Sequence, residues 1–126
     1  MNKVTRTIAA VVSLGVVAAP IPSALAKRGD KIVRGTCSAN SSIKLKLSDE
    51  NGRIEVEAEV DQNRNGVAWT YALAKNGVTV KRGTATTRAP SGSFSVRRLM
   101  SNSAGVDRVA IRASRAGEVC TVRATF

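Results

Sequence analysis

The chain contains no histidine. This removes the commonest general base and the commonest transition-metal ligand from any chemistry it could perform. Cysteine is limited to Cys37 and Cys120, proline to three residues, and the aromatic set to one Trp, one Tyr and two Phe. Platforms for stacking nucleic-acid bases or sugars are therefore poorly supplied, and no specific nucleic-acid recognition is expected. Acids are outnumbered: nine Asp and Glu stand against twenty Lys and Arg, a formal net charge of +11. No serine lies in G-x-S-x-G and no cysteine in C-x-x-C, so neither a hydrolase elbow nor a redox pair is signalled. No enzyme activity and no cofactor are expected.

The first 26 residues read as a secretory signal. Lys3 and Arg6 form a basic start, residues 8–19 an apolar run, Pro20 and Pro22 a break, and Ala24-Leu25-Ala26 a cleavage pattern. The run is short for a membrane span. No arginine pair precedes it and no cysteine follows Ala26, which points to the general secretory route without a lipid anchor. Cleavage before Lys27 would leave residues 27–126, 100 residues long, as a single domain. That domain would be secreted and extracellular, with no transmembrane segment after processing. Lys3 and Arg6 are the only charges removed, so the domain would carry +9. In an exported domain of this size Cys37 and Cys120 are expected to form a disulfide.

Hydrophobic periodicity is that of strands throughout. In residues 43–60 Ile43, Leu45 and Leu47 alternate with Lys44 and Lys46, and Ile54, Val56, Ala58 and Val60 alternate with Glu55, Glu57 and Glu59. Asn51-Gly52 lies between them, the strongest short hairpin signal. With those two as loop residues, Glu50 faces Arg53, Lys46 faces Glu57 and Lys44 faces Glu59. Further strands are expected over 31–37, 67–75, 78–84, 93–99, 108–113 and 119–126. The 67–75 strand has a second face of small residues and reads as central and covered on both sides, while Gly83 suggests a bulge or a strand end. The fold class is all-β: an antiparallel two-sheet sandwich of seven to eight strands, immunoglobulin-like, with one disulfide.

A scattered set of motifs carries a family resemblance. They are Cys37-Ser38, Lys44-Leu45-Lys46, residues 52–57 (GRIEVE), Val60-Asp61, Asn63-Arg64, Trp69, Asn76-Gly77, residues 90–94 (PSGSF) and Cys120. Together they resemble a group of small secreted actinobacterial proteins of unknown function. The resemblance implies secretion, one disulfide and a β-sandwich, and carries over no active-site residue.

Five local patterns bear on chemistry. Residues 61–66 (DQNRNG) match the opening of a calcium loop. Its twelfth position, however, is Ala72 where a bidentate Glu is required, and Arg64 offsets Asp61. Asn and Gly are also what a plain turn needs, so a turn without metal is expected. Arg28-Gly29-Asp30 is a three-residue match of the kind chance supplies, and Asn40-Ser41-Ser42 matches a glycosylation acceptor pattern that most bacterial exporters do not use. Glu55, Glu57 and Glu59 sit beside lysines as a solvated ladder. The remaining pattern is basic. From Val78 onward there are only two acids, Asp107 and Glu118. The same stretch holds Arg97, Arg98, Arg108, Arg112 and Arg123, the candidate anion-binding residues. The leading expectation is a binding domain whose arginine-rich face meets an anionic polymer at the cell wall. The second is an extracellular protein-interaction module, an inhibitor or subunit, using a sheet edge or the loops 84–92 and 101–107.

Overall fold

The charge pattern and the Asn51-Gly52 turn set the first hairpin. β3 (Ser42–Glu50) and β4 (Arg53–Asp61) pair antiparallel, with Lys44 opposite Glu59, Lys46 opposite Glu57 and Glu50 opposite Arg53. Both turn residues adopt positive φ, at 53° and 82°. A slip of one residue would exchange the buried aliphatic row for the charged one. The computed structural model describes residues 29–126; the secretory signal expected over residues 1–26 lies outside them.

Two antiparallel sheets build the rest of Lys31–Phe126. The first has the order β1-β3-β4-β7, with β1 Lys31–Arg34 and β7 Ser93–Ser101. The second has the order β2-β9-β8-β5-β6, with β2 Thr36–Cys37, β5 Ala68–Lys75, β6 Val78–Thr86, β8 Arg108–Arg115 and β9 Glu118–Thr125. The alternating aliphatic residues of both sheets meet between them, around Leu45, Ile54, Val56, Trp69, Leu73, Val109 and Ile111, all buried. Trp69 packs against Phe94 with ring centroids 6.0 Å apart. Its indole N–H donates to Gln62 Oε1 at 3.0 Å, so the ring is buried without an orphaned polar atom.

Each expected strand is present, and the first is divided. Gly35 is the division: the chain leaves β3 on one side and joins β9 on the other within three residues. A Cβ on Gly35 would overlap the Thr121 carbonyl oxygen, Val122 and Ile43, so only glycine passes between the two sheets here. The disulfide follows at once. Cys37 and Cys120 are direct cross-strand partners on β2 and β9, and their bond joins neighbours within one sheet. Over a sequence separation of 83 residues, the chain-entropy model gives it about 4–5 kcal/mol. Antibody domains instead bridge their two sheets, and their inner strands are distant in sequence, whereas here the centre of the first sheet is the local hairpin β3–β4.

Two local readings are corrected. Gly83 is neither a bulge nor an end, because β6 continues to Thr86. Gly83 lies opposite Tyr71, and a Cβ there would press on the phenol oxygen at 3.0 Å. The bulge in this pair falls instead at Leu73/Ala74. Strand β5 is central, between β6 and β8. Its small-residue face is not covered by a third layer among the described residues: Ala68 and Thr70 are exposed and Ala72 and Ala74 half-exposed.

Candidate anion-binding face

The outer face of the five-stranded sheet follows from register. Ala72 on β5 pairs with Arg82 on β6 and with Arg112 on β8. Arg112 pairs in turn with Thr121, Ala110 with Arg123, and Arg108 with Thr125. Alternation puts all of these on the side away from the core, since Val109, Ile111, Cys120 and Val122 between them are buried. Arg82, Arg112, Arg123 and Arg108 thus trace a bent line across four strands. Arg82 and Arg112 stand two strand spacings apart, about 10 Å at their backbones. Each following pair is a diagonal cross-strand neighbour, about 7–8 Å apart. All four side chains are exposed. No hydrogen bond or ion pair joins their guanidinium groups to another described residue.

Between the arginines the surface is small and uncharged: Thr70, Ala72, Ala74, Thr84, Ala110, Ser114, Thr121 and Thr125 share this side. It carries no acid. The two acids of the C-terminal half both point inward and are buried. Asp107 accepts from Asn76 Nδ2 at 2.9 Å and from the Ser103 N–H at 2.8 Å, and lies 3.7 Å from Lys75 Nζ. The Asn76 hydrogen bond above all, with Ser103 and Lys75, outweighs burial and holds its carboxyl below the ordinary range. Glu118 is desolvated, which pushes its carboxyl up. The Ser41 N–H at 2.9 Å, the Ser41 hydroxyl at 2.8 Å and Arg115 at 3.0 Å more than reverse that, and the net shift is downward. Both acids are ionised and fully engaged, so neither neutralises the outer face.

The sequence-derived candidates separate into three places. Arg108, Arg112 and Arg123 come together on this face. Arg97 lies on the outside of the other sheet, opposite Glu57 and in a 2.9 Å ion pair with Glu55. Arg98 is opposite Val56, on the core-facing side of edge strand β7, where it remains exposed. Arg97 and Arg98 therefore do not belong to the arginine face. Arg82 does, although sequence reading did not assign it there. With the strand ended near Gly83, its parity with Thr84 and Thr86 could not be followed. The outer face of the first sheet is a balanced mosaic instead, with Lys44 and Glu59 at 3.4 Å.

Two other candidates take simple forms. In residues 61–66 the Asp61 carboxylate accepts from the Asn63 N–H at 2.9 Å, and Asn63 and Gly66 take positive φ. Thr87 then fastens the segment, its hydroxyl donating to the Arg64 carbonyl at 2.6 Å and accepting from the Val67 N–H at 2.9 Å. Among the described residues one group of possible metal donors lies close together, Cys37, Cys120 and Glu118. Both of its sulfurs are bonded to each other.

No protein-family model, curated protein or solved structure matches the chain. The fold itself defines the class: an all-β antiparallel sandwich with one disulfide. What such a domain does has to be read from its surfaces.

Proposed function

We propose that the protein is a secreted binding domain that engages anionic polymers at the cell wall through the outer face of its five-stranded sheet. One observation carries the reading: Arg82, Arg108, Arg112 and Arg123 share a sheet face that has no acid and, among the described residues, no partner for their charges. Unpaired guanidinium groups over small side chains leave their donors free for phosphate or carboxylate oxygens, which they bind bidentately. Charge kept only for solubility would gain nothing by being gathered on one side.

The test uses the protein as exported into the medium by cells expressing the full chain, with its new N-terminus sequenced. Binding to purified wall polymer is then followed against salt. Four contacts to a flexible polyanion predict a log–log slope of about −3, or roughly 50-fold weaker binding between about 50 and 200 mM salt. An Arg108/Arg112/Arg123 triple-alanine variant is expected to lose most of this. Binding that ignores salt would instead favour a packed protein interface. For that second reading the loops 84–92 and 101–107 cannot act as one surface. They lie at opposite ends of nine-residue β7, about 30 Å apart.

A further inference from the structure

Of the four sheet edges among the described residues, β6 and β7 are long and the other two, β1 and β2, have four and two residues. The long edges are finished differently. On β7 three outward positions are taken. Ser93 and Arg88 exchange N–H···O bonds at 3.0 and 3.4 Å. Lys81 Nζ donates to the Arg97 carbonyl at 3.4 Å, and Lys75 Nζ to the Ser101 carbonyl at 2.6 Å. On β6 the outward groups are bare. The Thr87 N–H donates to the Val67 carbonyl at 2.9 Å, so Thr87 is turned toward the β5 side. Alternation turns Ala85 and Gly83 the same way and points the N–H and C=O groups of Thr86, Thr84 and Arg82 off the sheet. Among the described residues no hydrogen bond reaches those groups.

We propose that the β6 edge from Arg82 to Thr86 is a strand-acceptor site, where an extended segment of another protein, alternating acidic and apolar residues, pairs antiparallel as a sixth strand. Bare N–H and C=O groups at the repeat of a strand are complementary to an extended peptide backbone, which carries the same groups at the same repeat. Charge sets the acidic row. Neither β6 nor β7 contains an Asp or Glu, and the residue opposite Arg82 stands about 5 Å from it on the outer side, where an acid is favoured and a base is not. The inner side sets the apolar row. Lys81 leans away to the Arg97 carbonyl, Gly83 presents no side chain, and Val80, Ala85 and Tyr71 pack against the core. The phenol of Tyr71 reaches across to Gly83, so an apolar side chain opposite Gly83 meets its ring. A second copy supplies the wrong charge, since its own β6 brings Lys81 and Arg82 to the same seam. The site goes beyond the polymer reading and stands or falls separately from it, although Arg82 belongs to both.

The probe is a dye-labelled peptide alternating glutamate with valine, nine residues long to match β6. Two relatives serve as controls. One has lysine for every glutamate. The other is N-methylated at its two central glutamates, which keeps every charge and removes the N–H donors that pair with β6. Binding to the exported protein is followed by fluorescence anisotropy at about 150 mM salt, where long-range attraction is screened, and amide hydrogen exchange is read by NMR. The acidic peptide is expected to bind at least tenfold more tightly than either relative. It should slow exchange of the Thr84 and Thr86 N–H groups at least tenfold and leave that of Leu99 on β7 unchanged. Thr84→Pro removes one outward donor where an edge strand tolerates proline; with its thermal midpoint checked first, it should bind at least fivefold more weakly. Arg82→Glu should weaken the acidic peptide and strengthen the lysine peptide, an exchange that loss of folding cannot produce. Equal binding of the N-methylated peptide would show a charge contact with the arginine face and overturn the strand site. Failure of the acidic peptide to bind would overturn it as well. So would exchange at Thr84 and Thr86 that slows with protein concentration alone, which would put a second copy on the edge.

Discussion

Single residues decide two features of this fold that have no charge pattern to announce them. Gly35 lets one strand serve both sheets, with the Thr121 carbonyl, Val122 and Ile43 closing on the space where a side chain would begin. Gly35→Ala is expected to lower stability by about 1–3 kcal/mol through overpacking. The check is a urea titration, with a lower midpoint at unchanged slope. Glu118 ties the 38–41 turn to β9 through Ser41, and to Arg115, whose guanidinium lies 5.6 Å from the Trp69 ring centroid. Its carboxyl, like that of Asp107, is held below the ordinary range. Because the folded pKa is the lower one, the stabilisation is complete above the ordinary carboxylate range and is lost as pH falls through and below it. Stability should hold from pH 8 to about 5 and decline below that. Glu118→Gln should cost about 1–3 kcal/mol at neutral pH and make the acid decline shallower. A variant with the wild-type acid profile would remove Glu118 from this role.

At the scale of elements, period-2 alternation is enough to find the strands, apart from the break that divides the first into β1 and β2, and to fix the β3–β4 register, because charged and aliphatic rows leave only one face to bury. It is not enough to order the sheets. Strand order depends on which edges meet across loops, and here on Gly35, whose importance lies in atoms far away in sequence. The arginine face was legible in part for the same reason. Arg108, Arg112 and Arg123 sit on clean strands whose parity is readable. Arg97 and Arg98 are on β7 of the other sheet, so neither can join that face, and alternation sends them to its two sides. Arg82 was hidden by a glycine that looks like a strand end. Strand β5 shows how small residues mislead, since its Ala and Thr row suggests a covering layer but forms the floor between arginines. That floor offers a sharp test. Ala72 pairs with both Arg82 and Arg112, so Ala72→Glu places one carboxylate between them. Polyanion binding is expected to weaken at least tenfold, with the salt slope reduced by one or more. Ser95→Glu, on the outside of the other sheet opposite Glu59, should leave it unchanged. Equal loss in both variants would mean that only net charge matters.

At the largest scale, the sandwich of Lys31–Phe126 is electrically two-sided. One sheet exposes lysines and arginines interleaved with Glu55, Glu57 and Glu59; the other exposes arginines alone, and the nearby acids Asp107 and Glu118 are turned inward. A field of this kind orients the domain as it approaches a charged surface, so that one face leads. Long-range attraction is screened beyond about 8 Å at physiological salt, so under the proposed function only the leading face would stay in contact. Orientation can be read by modifying arginines with a dicarbonyl reagent in the presence of bound polymer, then mapping the modified positions by mass spectrometry. Arg82, Arg108, Arg112 and Arg123 should be protected together. Arg34 and Arg53, exposed on strands of the other sheet, should react as they do in the free protein. Protection spread evenly over all six would show a polymer wrapping a uniformly basic particle, and the two-sidedness would have no consequence for binding. Protection confined to Arg64 and Arg88, in the loops at one end of the sandwich, would move the contact from the sheet face to that end.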